Sequence, residues 1–336
     1  MEHQAPVLIL GGSGQAGAGA AELLRQWHPT LPLAIAGRDT DRARRVADTL
    51  GAATAVPVDL RRDDLGRPAD ERYAAVVAAL WDERLCGLRY AQRHGLPYLS
   101  LSSGLVDIAP EVVAGAQHAS APILTASHWC AGSLTLAVLD LARAFGRVDA
   151  VRIGAVLDER DTGGPAGIAD LARWSAVTTA GLVRRDGVFT WVSGADAQVD
   201  VTGSDGTVQP GQAIAILDVP SLALATGAPD VRFAFAVGTS TGRRRGGPAS
   251  LEVRIDIEGA DPAGAPATTS HFLVHPAGQR PLTALGIALG VERLLALRGA
   301  PVAPGLHTPE ALVDPAYAVE RMLAGGATFV DARADG

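Results

Sequence analysis

The apolar positions of the chain fall into two rhythms. In the first 130 residues, short and wholly apolar runs alternate with stretches whose apolar residues recur every three or four positions. Val7–Leu10 is the first run; a glycine-rich stretch, 11–17, follows it, and Ala20, Leu23, Leu24 and Trp27 then recur at helical spacing. The runs at 33–36, 55–58, 74–80 and 98–101 predict four more strands, with helices over 41–50 and 85–94. Wholly apolar strands separated by helices are what a parallel sheet covered on both faces requires. The run at 123–126 adds a strand, and 134–145 reads as a long helix.

After Phe145 the rhythm changes. Strands are predicted at 151–157, Val188–Val192, 213–217, 231–237, 251–257 and 269–274, with 168–183 as the one helix among them. In Leu251-Glu252-Val253-Arg254-Ile255-Asp256-Ile257 apolar and charged residues alternate, the pattern of an antiparallel sheet with one solvated face. A sheet covered by so little helix needs protection for its open face and edges, so the expectation is a homodimer formed through residues 151–275. From Pro281 onward the pattern is helical again.

Composition narrows the picture. A chain of 336 residues, 48% hydrophobic and 19% charged, has material for two cores. Lysine is absent and all 29 basic residues are arginine, against 36 acids, for a net charge of −7. A nucleic-acid partner would need a basic stripe, and the one basic run is Arg243-Arg244-Arg245. That run reads either as a clamp for a carboxylate or phosphate or as an exposed loop between strands. Two cysteines, Cys86 and Cys130, are too few for a disulfide framework. No uncharged apolar run nears the roughly 18 residues of a membrane span, and no leader pattern precedes the first strand. These observations predict a cytoplasmic protein with no membrane partner. No histidines pair at metal-ligand spacing: His271 and His275 fall on a predicted strand about 13 Å apart, and no metal site is expected.

Gly12-Ser13-Gly14-Gln15-Ala16-Gly17 fits G-x-G-x-x-G, and it lies between a buried strand and an amphipathic helix. In that context the first glycine serves a tight turn, Gly14 the approach of a pyrophosphate, and Gly17 close packing of helix on strand. The helix N-terminus then offers free N–H groups and a partial positive charge to phosphates. The end of the second strand selects the cofactor. Gly37 and Arg38 stand there, and an arginine suits the 2′-phosphate of NADP(H). Asp39 is the alternative, a carboxylate for the ribose hydroxyls of NAD(H). Asp59 ends the third strand, either to meet the adenine amino group or to cap a helix. The residues assigned to the cofactor are Gly12, Ser13, Gly14, Gln15 and Ala16 in the loop, Gly37, Arg38 and Asp39 after the second strand, and Asp59 and Leu60 after the third. Ala79, Leu80 and Ser103 complete the set. The fold class expected is α/β. A Rossmann-type parallel-sheet domain takes residues 1–130 and 281–336; residues 131–280 are inserted as an α+β substrate-binding domain on a largely antiparallel sheet.

Several segments resemble the saccharopine dehydrogenase-like family of NADP-binding reductases: VLILGGSGQAG at the start, Ala36-Gly37-Arg38, Asp59, GLPYLSLSSG (95–104), PLTALGIALGVERLLALRG (281–299) and GLHTPEALVDP (305–315), the last similar to the family's Gly-x-x-x-Pro-Glu segment. The resemblance implies a Rossmann domain built from both ends of the chain, a central substrate domain and often a homodimer. It also implies reduction of a C=N bond, an imine or Schiff base, in a small metabolite. The chain departs from the family where relatives often carry an acid after the fifth strand and this sequence has Ser102. It departs again where many show Pro-Gly before the next long helix and this sequence has Ala131-Gly132.

Hydride transfer from a nicotinamide needs an electrophilic carbon near the ring and a proton source. Ligands of open α/β sheets lie beyond the C-terminal ends of the strands. His128, just past the strand at 123–126, is the preferred acid, because imidazole titrates near neutral pH; a hinge histidine bonded to backbone is the alternative. Cys130 and Ser102 are the other catalytic candidates, and the amides of Gly132 and Ser133 could hold a substrate carboxylate. Trp129, Trp174 and Trp191 read either as pocket lining or as core. The leading expectation is an NADPH-dependent reductase of a C=N bond. Reduction of an activated C=C or C=O bond, or a non-catalytic NADP-binding sensor, are the alternatives.

Overall fold

The structure, a computed structural model, describes residues 5–101, 104–105, 107–161, 164–177 and 179–332. The chain divides into two compact units: Met1–Ala131 with Leu282–Val313, and Gly132–Pro281 with Asp314–Gly336.

The first unit opens with β1 (Val7–Leu10), α1 (Gln15–Trp27), β2 (Leu33–Gly37), α2 (Thr40–Leu50), β3 (Ala53–Pro57) and β4 (Ala75–Ala78). It continues through α3 (Cys86–Arg93), β5 (Tyr98–Ser100), α4 (Ala109–His118) and β6 (Pro122–Thr125). The four residues of β1 and of β4 have no exposed surface at all, which is why they contain no polar residue. The sheet runs β3-β2-β1-β4-β5-β6, with every pairing parallel. Strand order reverses between β1 and β4. All its strand C-termini share one edge, and the crevice at that reversal is where such sheets take ligands.

The second unit contains α5 (Ser133–Ala142), β7 (Arg147–Asp158), α6 (Gly164–Val177), β8 (Gly181–Arg185), β9 (Val188–Val192), β10 (Gln198–Thr202) and β11 (Val208–Ala213). Then come α7 (Asp218–Thr226), β12 (Asp230–Gly238), α8 (Thr241–Arg244), β13 (Leu251–Ala260) and β14 (Pro266–His275). The sheet order is β10-β11-β12-β7-β13-β14, with β8 and β9 as a hairpin beside β12. It is antiparallel except that β12 and β7 run parallel.

Helix α9 (Arg280–Leu294), strand β15 (Gly305–His307) and the short helix α10 (Pro309–Leu312) follow. β15 adds to the first sheet beside β6. The final helix α11 (Pro315–Ala324) and strand β16 (Thr328–Asp331) do not. β16 pairs antiparallel with β14, so the chain from Asp314 belongs to the second unit. This corrects the sequence reading, which placed all of 281–336 in the first. A four-residue strand carries no mark of which sheet it completes.

Other differences are local. The helix expected over 168–183 ends at Val177, and β8 begins at Gly181. The strand expected at 213–217 lies earlier, at Val208–Ala213. Pro210 sits opposite Asp200 of β10, while only Gln212 and Ala213 pair with β12, so the missing N–H falls where one neighbour is present. Helices α4 and α7 lacked any sequence signal strong enough to predict them. None of the helices among the described residues is long and apolar enough to cross a membrane.

Candidate functional site

The glycine loop is built by close approach. Gly11 has φ +74°, a conformation that favours glycine, and its N–H reaches the carbonyl of Ala36 on β2 at 3.0 Å. A Cβ on Gly12 would lie 2.8 Å from the Ile9 carbonyl oxygen, and one on Gly17 only 2.6 Å from the Gly11 oxygen. Larger residues would push α1 off the end of β1. Gly14 is the N-cap of α1, and no side chain caps that end. The first-turn amides, those of Gln15, Ala16 and Gly17, therefore have no intrahelical acceptor and no acid beside them. This arrangement suits a phosphate, since amides and helix dipole act together. Ser13 lies next to Gly37: its Oγ is 3.4 Å from where a Gly37 Cβ would stand.

The neighbouring strand ends complete the edge. Arg38 and Asp39 follow β2, both exposed. Asp39 is the N-cap of α2, its Oδ1 accepting the Arg42 N–H at 2.9 Å. One carboxylate oxygen is thus committed to helix capping. The Arg38 guanidinium has no hydrogen-bond or ion-pair partner among the described residues. Asp59, after β3, accepts both arms of an Arg61 fork at 2.9 Å. The Arg61 side chain and N–H hold its carboxyl down at about 2. Arg61 thus engages the Asp59 carboxylate, and Leu60 between them is half-buried. Ala79 donates its N–H to the Leu10 carbonyl at 3.0 Å, joining β4 to β1. The Leu80 side chain packs 3.1 Å from the Cβ position of Gly11. So Gly12–Ala16, Gly37–Asp39, Asp59, Leu60, Ala79 and Leu80 stand at the C-terminal ends of adjacent strands. Ser102 and Ser103 lie outside the described residues.

Asp82, just beyond Leu80, is buried. It accepts the N–H groups of Cys86 and Leu88 at 3.0 and 3.1 Å and the Tyr98 hydroxyl at 3.2 Å. Burial pushes its carboxyl up, and these bonds pull it partly back. It holds the start of α3.

His128 stands three residues past the end of β6. Glu310, three residues past the end of β15, was missed by the sequence reading. The two strands are parallel neighbours with Leu124 opposite His307, so the segments that follow them leave the sheet side by side. His128 Nε2 and Glu310 Oε2 are 3.9 Å apart. The imidazole has no exposed surface, while Glu310 keeps 12% of its side chain exposed. Of the Glu310 carboxylate, Oε2 is shut from water without a hydrogen bond. Around the pair, the Thr125 hydroxyl donates to the His307 carbonyl at 3.2 Å, and Arg293 on α9 holds the Leu312 carbonyl at 2.7 Å. On β5, the Ser100 hydroxyl donates to Glu111, and both are buried.

The chain after His128 makes a left-handed turn. Cys130 (φ 51°, ψ 41°), Ala131 (φ 54°, ψ 35°) and Gly132 (φ 87°) are consecutive. Each non-glycine residue in this region costs about 1–2 kcal/mol. Gly286 of α9 permits it: a Cβ there would lie 2.5 Å from the Ala131 carbonyl oxygen. Cys130 is buried within this turn.

In the second unit, two guanidiniums of the Arg243–Arg245 run are engaged internally. Arg243 pairs with Asp158 at 2.8 Å and Glu159 at 3.0 Å, and Arg244 forks onto Asp205 at 2.7 and 2.8 Å. The loop is anchored by buried carboxylates. Asp158 accepts the N–H and hydroxyl of Ser240; Glu252 accepts from Thr241, Ser204 and Ser250. Trp191 is 54% exposed on the β8–β9 hairpin, so it is not core. The Trp174 side chain lies outside what is described. Among the described residues no three His, Cys, Asp or Glu side chains are grouped to hold a metal ion.

Comparison with known proteins places the fold. No protein-family model matches the chain, and no curated protein matches it in sequence. Solved structures do match in shape. Saccharopine dehydrogenase (L-Glu forming) from Saccharomyces cerevisiae superposes with a TM-score of 0.65 at 13% identity, over 97% of this chain and 100% of its own. Scyllo-inositol dehydrogenase from Lactobacillus casei, solved with NAD(H) and scyllo-inositol, gives 0.50 at 13% identity, over 96% and 95%. A probable dehydrogenase from Thermotoga maritima gives 0.50 at 13%, over 97% and 98%. The chain thus shares the α/β architecture of these structures, a Rossmann-type parallel sheet with a second, mixed-sheet unit.

Proposed function

We propose that the protein is an oxidoreductase that moves a hydride from a nicotinamide dinucleotide, NADPH in preference to NADH, to a C=N bond of a small metabolite. The observation that carries this reading is the uncapped N-terminus of α1 at the point where strand order reverses between β1 and β4. Gly12, Gly14 and Gly17 leave room there for a pyrophosphate, and the amides of Gln15 and Ala16 would hold it. Arg38, unpaired at the end of β2, would hold a 2′-phosphate, while Asp39 is spent on its helix. The bound dinucleotide would supply the hydride.

The chain's own residues supply the proton. His128 and Glu310 sit on the same sheet edge as the glycine loop, three and four strands from β1, or roughly 14 and 19 Å at about 4.8 Å per strand. A dinucleotide reaching from β2 across β1 toward β5 and β6 would bring its nicotinamide end to that pair. Preference for C=N over C=O or C=C rests on the resemblance to saccharopine dehydrogenase-like reductases, whose architecture the chain has. We also propose a homodimer: Val188, Phe189 and Trp191, 63, 41 and 54% exposed on the β8–β9 hairpin, are costly to leave in water.

The test is NADPH oxidation followed at 340 nm against cyclic imines, ketones and enones, repeated with NADH. Turnover of imines with NADPH is expected. Binding of NADPH with no turnover of any of the three classes would overturn the assignment as a reductase.

A further inference from the structure

We infer that Glu310 is the group that exchanges the proton with the substrate, and that His128 is the positioning residue behind it. This assignment rests on the proposed reductase activity and on the His128–Glu310 pair as its proton source.

Three observations lead to it. The first is accessibility. The imidazole of His128 has no exposed surface, whereas the Glu310 side chain keeps 12%. A group that hands a proton to a diffusing molecule must be within hydrogen-bond reach of it. Of the two, only Glu310 offers surface.

The second is the state of the carboxylate. Oε2 is shut from water and accepts no hydrogen bond. A carboxylate oxygen so placed is costly unless a donor faces it. Nε2 of His128 stands 3.9 Å from it, longer than a hydrogen bond. Hydrogen bonds of this kind often tighten only when the site is filled. With Oε2 directed at the imidazole, Oε1 is left as the working oxygen.

The third is the rigidity of the mounting. Glu310 lies in the first turn of α10, with Pro309 buried before it and Arg293 holding the Leu312 carbonyl behind it. His128 is fixed by β6 on one side and the left-handed turn at 130–132 on the other. Neither side chain hangs on a mobile loop. Two strand ends far apart in the chain are set in register by β15 pairing with β6.

The Glu310 O–H bond breaks as its proton passes from Oε1 to the substrate nitrogen, and the substrate carbon takes the hydride that a bound dinucleotide would supply. The C=N π bond breaks, a C–H and an N–H bond form, and the product is an amine, the dinucleotide being left oxidised. The carboxylate that remains is stabilised by a proton on Nε2 of His128, and it is reprotonated from solvent through its exposed oxygen.

Two measurements on the protein test this. The first needs no substrate. The folded protein is treated with a carbodiimide plus glycinamide, which labels carboxylates, and separately with diethyl pyrocarbonate, which labels imidazoles; peptide mass spectrometry then reads each site. Glu310 should label and His128 should not, until the protein is unfolded. Labelling of His128 with Glu310 untouched would overturn the assignment. The second uses 2-methyl-1-pyrroline as substrate with NADPH. Glu310→Gln should lower kcat about a hundredfold or more, with KM for NADPH unmoved. His128→Asn added to Glu310→Gln should cost nothing further, because the imidazole acts only through the carboxylate. Full kcat in Glu310→Gln, or fully additive losses, would sink the inference. A wild type that fails to bind NADPH would instead sink the reductase reading, and the labelling result would still decide which of the two groups is outermost.

Discussion

Replacing Arg38 by alanine should separate the two nicotinamide cofactors without disturbing the fold. Arg38 is exposed just past β2, and its guanidinium has no hydrogen-bond or ion-pair partner among the described residues, so its loss breaks no internal contact. What it would lose is a charge-assisted, bidentate bond to the 2′-phosphate, worth about 1.5–3 kcal/mol. At about 1.4 kcal/mol per factor of ten, Kd for NADPH should rise roughly ten- to a hundredfold. Kd for NADH, which lacks that phosphate, should stay within about twofold. Asp39→Ala is the control. Asp39 caps α2 through the Arg42 N–H at 2.9 Å, so its loss should cost about 1 kcal/mol of stability and leave NADPH affinity nearly unchanged. For a unit of this size that is a drop in Tm of about 2–4 °C. Titration of nucleotide fluorescence with wild type and both variants, plus a thermal melt of each, measures all of this. If Asp39→Ala weakens NADH most and Arg38→Ala is silent, the carboxylate holds the ribose and the reasoning from the helix cap is refuted.

Three further outcomes are expected. His128→Asn should reduce kcat by roughly a hundredfold or more with NADPH binding unchanged; a variant with full kcat would remove His128 from the mechanism. In the second unit, burial pushes Asp158 and Glu252 up, but hydrogen bonds from Ser240, Arg160 and Arg243 to the one, and from Thr241, Ser204 and Ser250 to the other, hold both below their ordinary values of 3.8 and 4.5. A carboxylate depressed in the folded state stabilises it above the unfolded value, and that stabilisation is lost as the pH falls through the folded one. Tm should therefore drop as the pH is taken below 4.5, and Glu252→Gln should flatten the drop; an unchanged acid slope in that variant would contradict it. Light scattering across micromolar concentrations should report a dimer, and a strict monomer at every concentration would refute the proposed assembly.

The part of this molecule that was legible in its sequence is the part whose residues act locally. Val7–Leu10 could be read as a buried strand because every residue in it is apolar, and the glycine loop because close approach of backbone leaves only glycine. The first sheet follows from repeating that reading. The second unit was harder. Val-Gln-Pro-Gly-Gln-Ala at 208–213 looks like a turn, yet it is β11. Gly211 is required there because a Cβ would lie 2.7 Å from the Phe235 carbonyl oxygen, a contact known only once β12 is in place. β16 was assigned to the wrong unit for the same reason: its partner, β14, is more than fifty residues away. Glu310 was quoted as part of a familiar segment but given no role, because nothing within ten residues of it suggests a histidine partner 182 positions earlier in the chain. In Arg243, a side chain free to bind a ligand on paper is engaged by Asp158, a neighbour that the sequence does not place beside it.

The central claim is that the loop between β1 and α1 holds a nicotinamide dinucleotide, and Gly14→Asp tests it most directly. Gly14 is the N-cap of α1 at φ −79° and ψ 170°, a conformation open to any residue, and its Cβ would meet only the Gly11 carbonyl oxygen at 3.1 Å. Aspartate is among the best N-cap residues, so the fold should hold or gain slightly. Its carboxylate, however, would take the amides a pyrophosphate needs and repel the phosphates by charge. Isothermal titration of NADPH should show one site per chain in the wild type and a loss of at least about a hundredfold in affinity in Gly14→Asp, with Tm unchanged or raised. Equal affinity in the two proteins would mean that the dinucleotide does not bind at this loop.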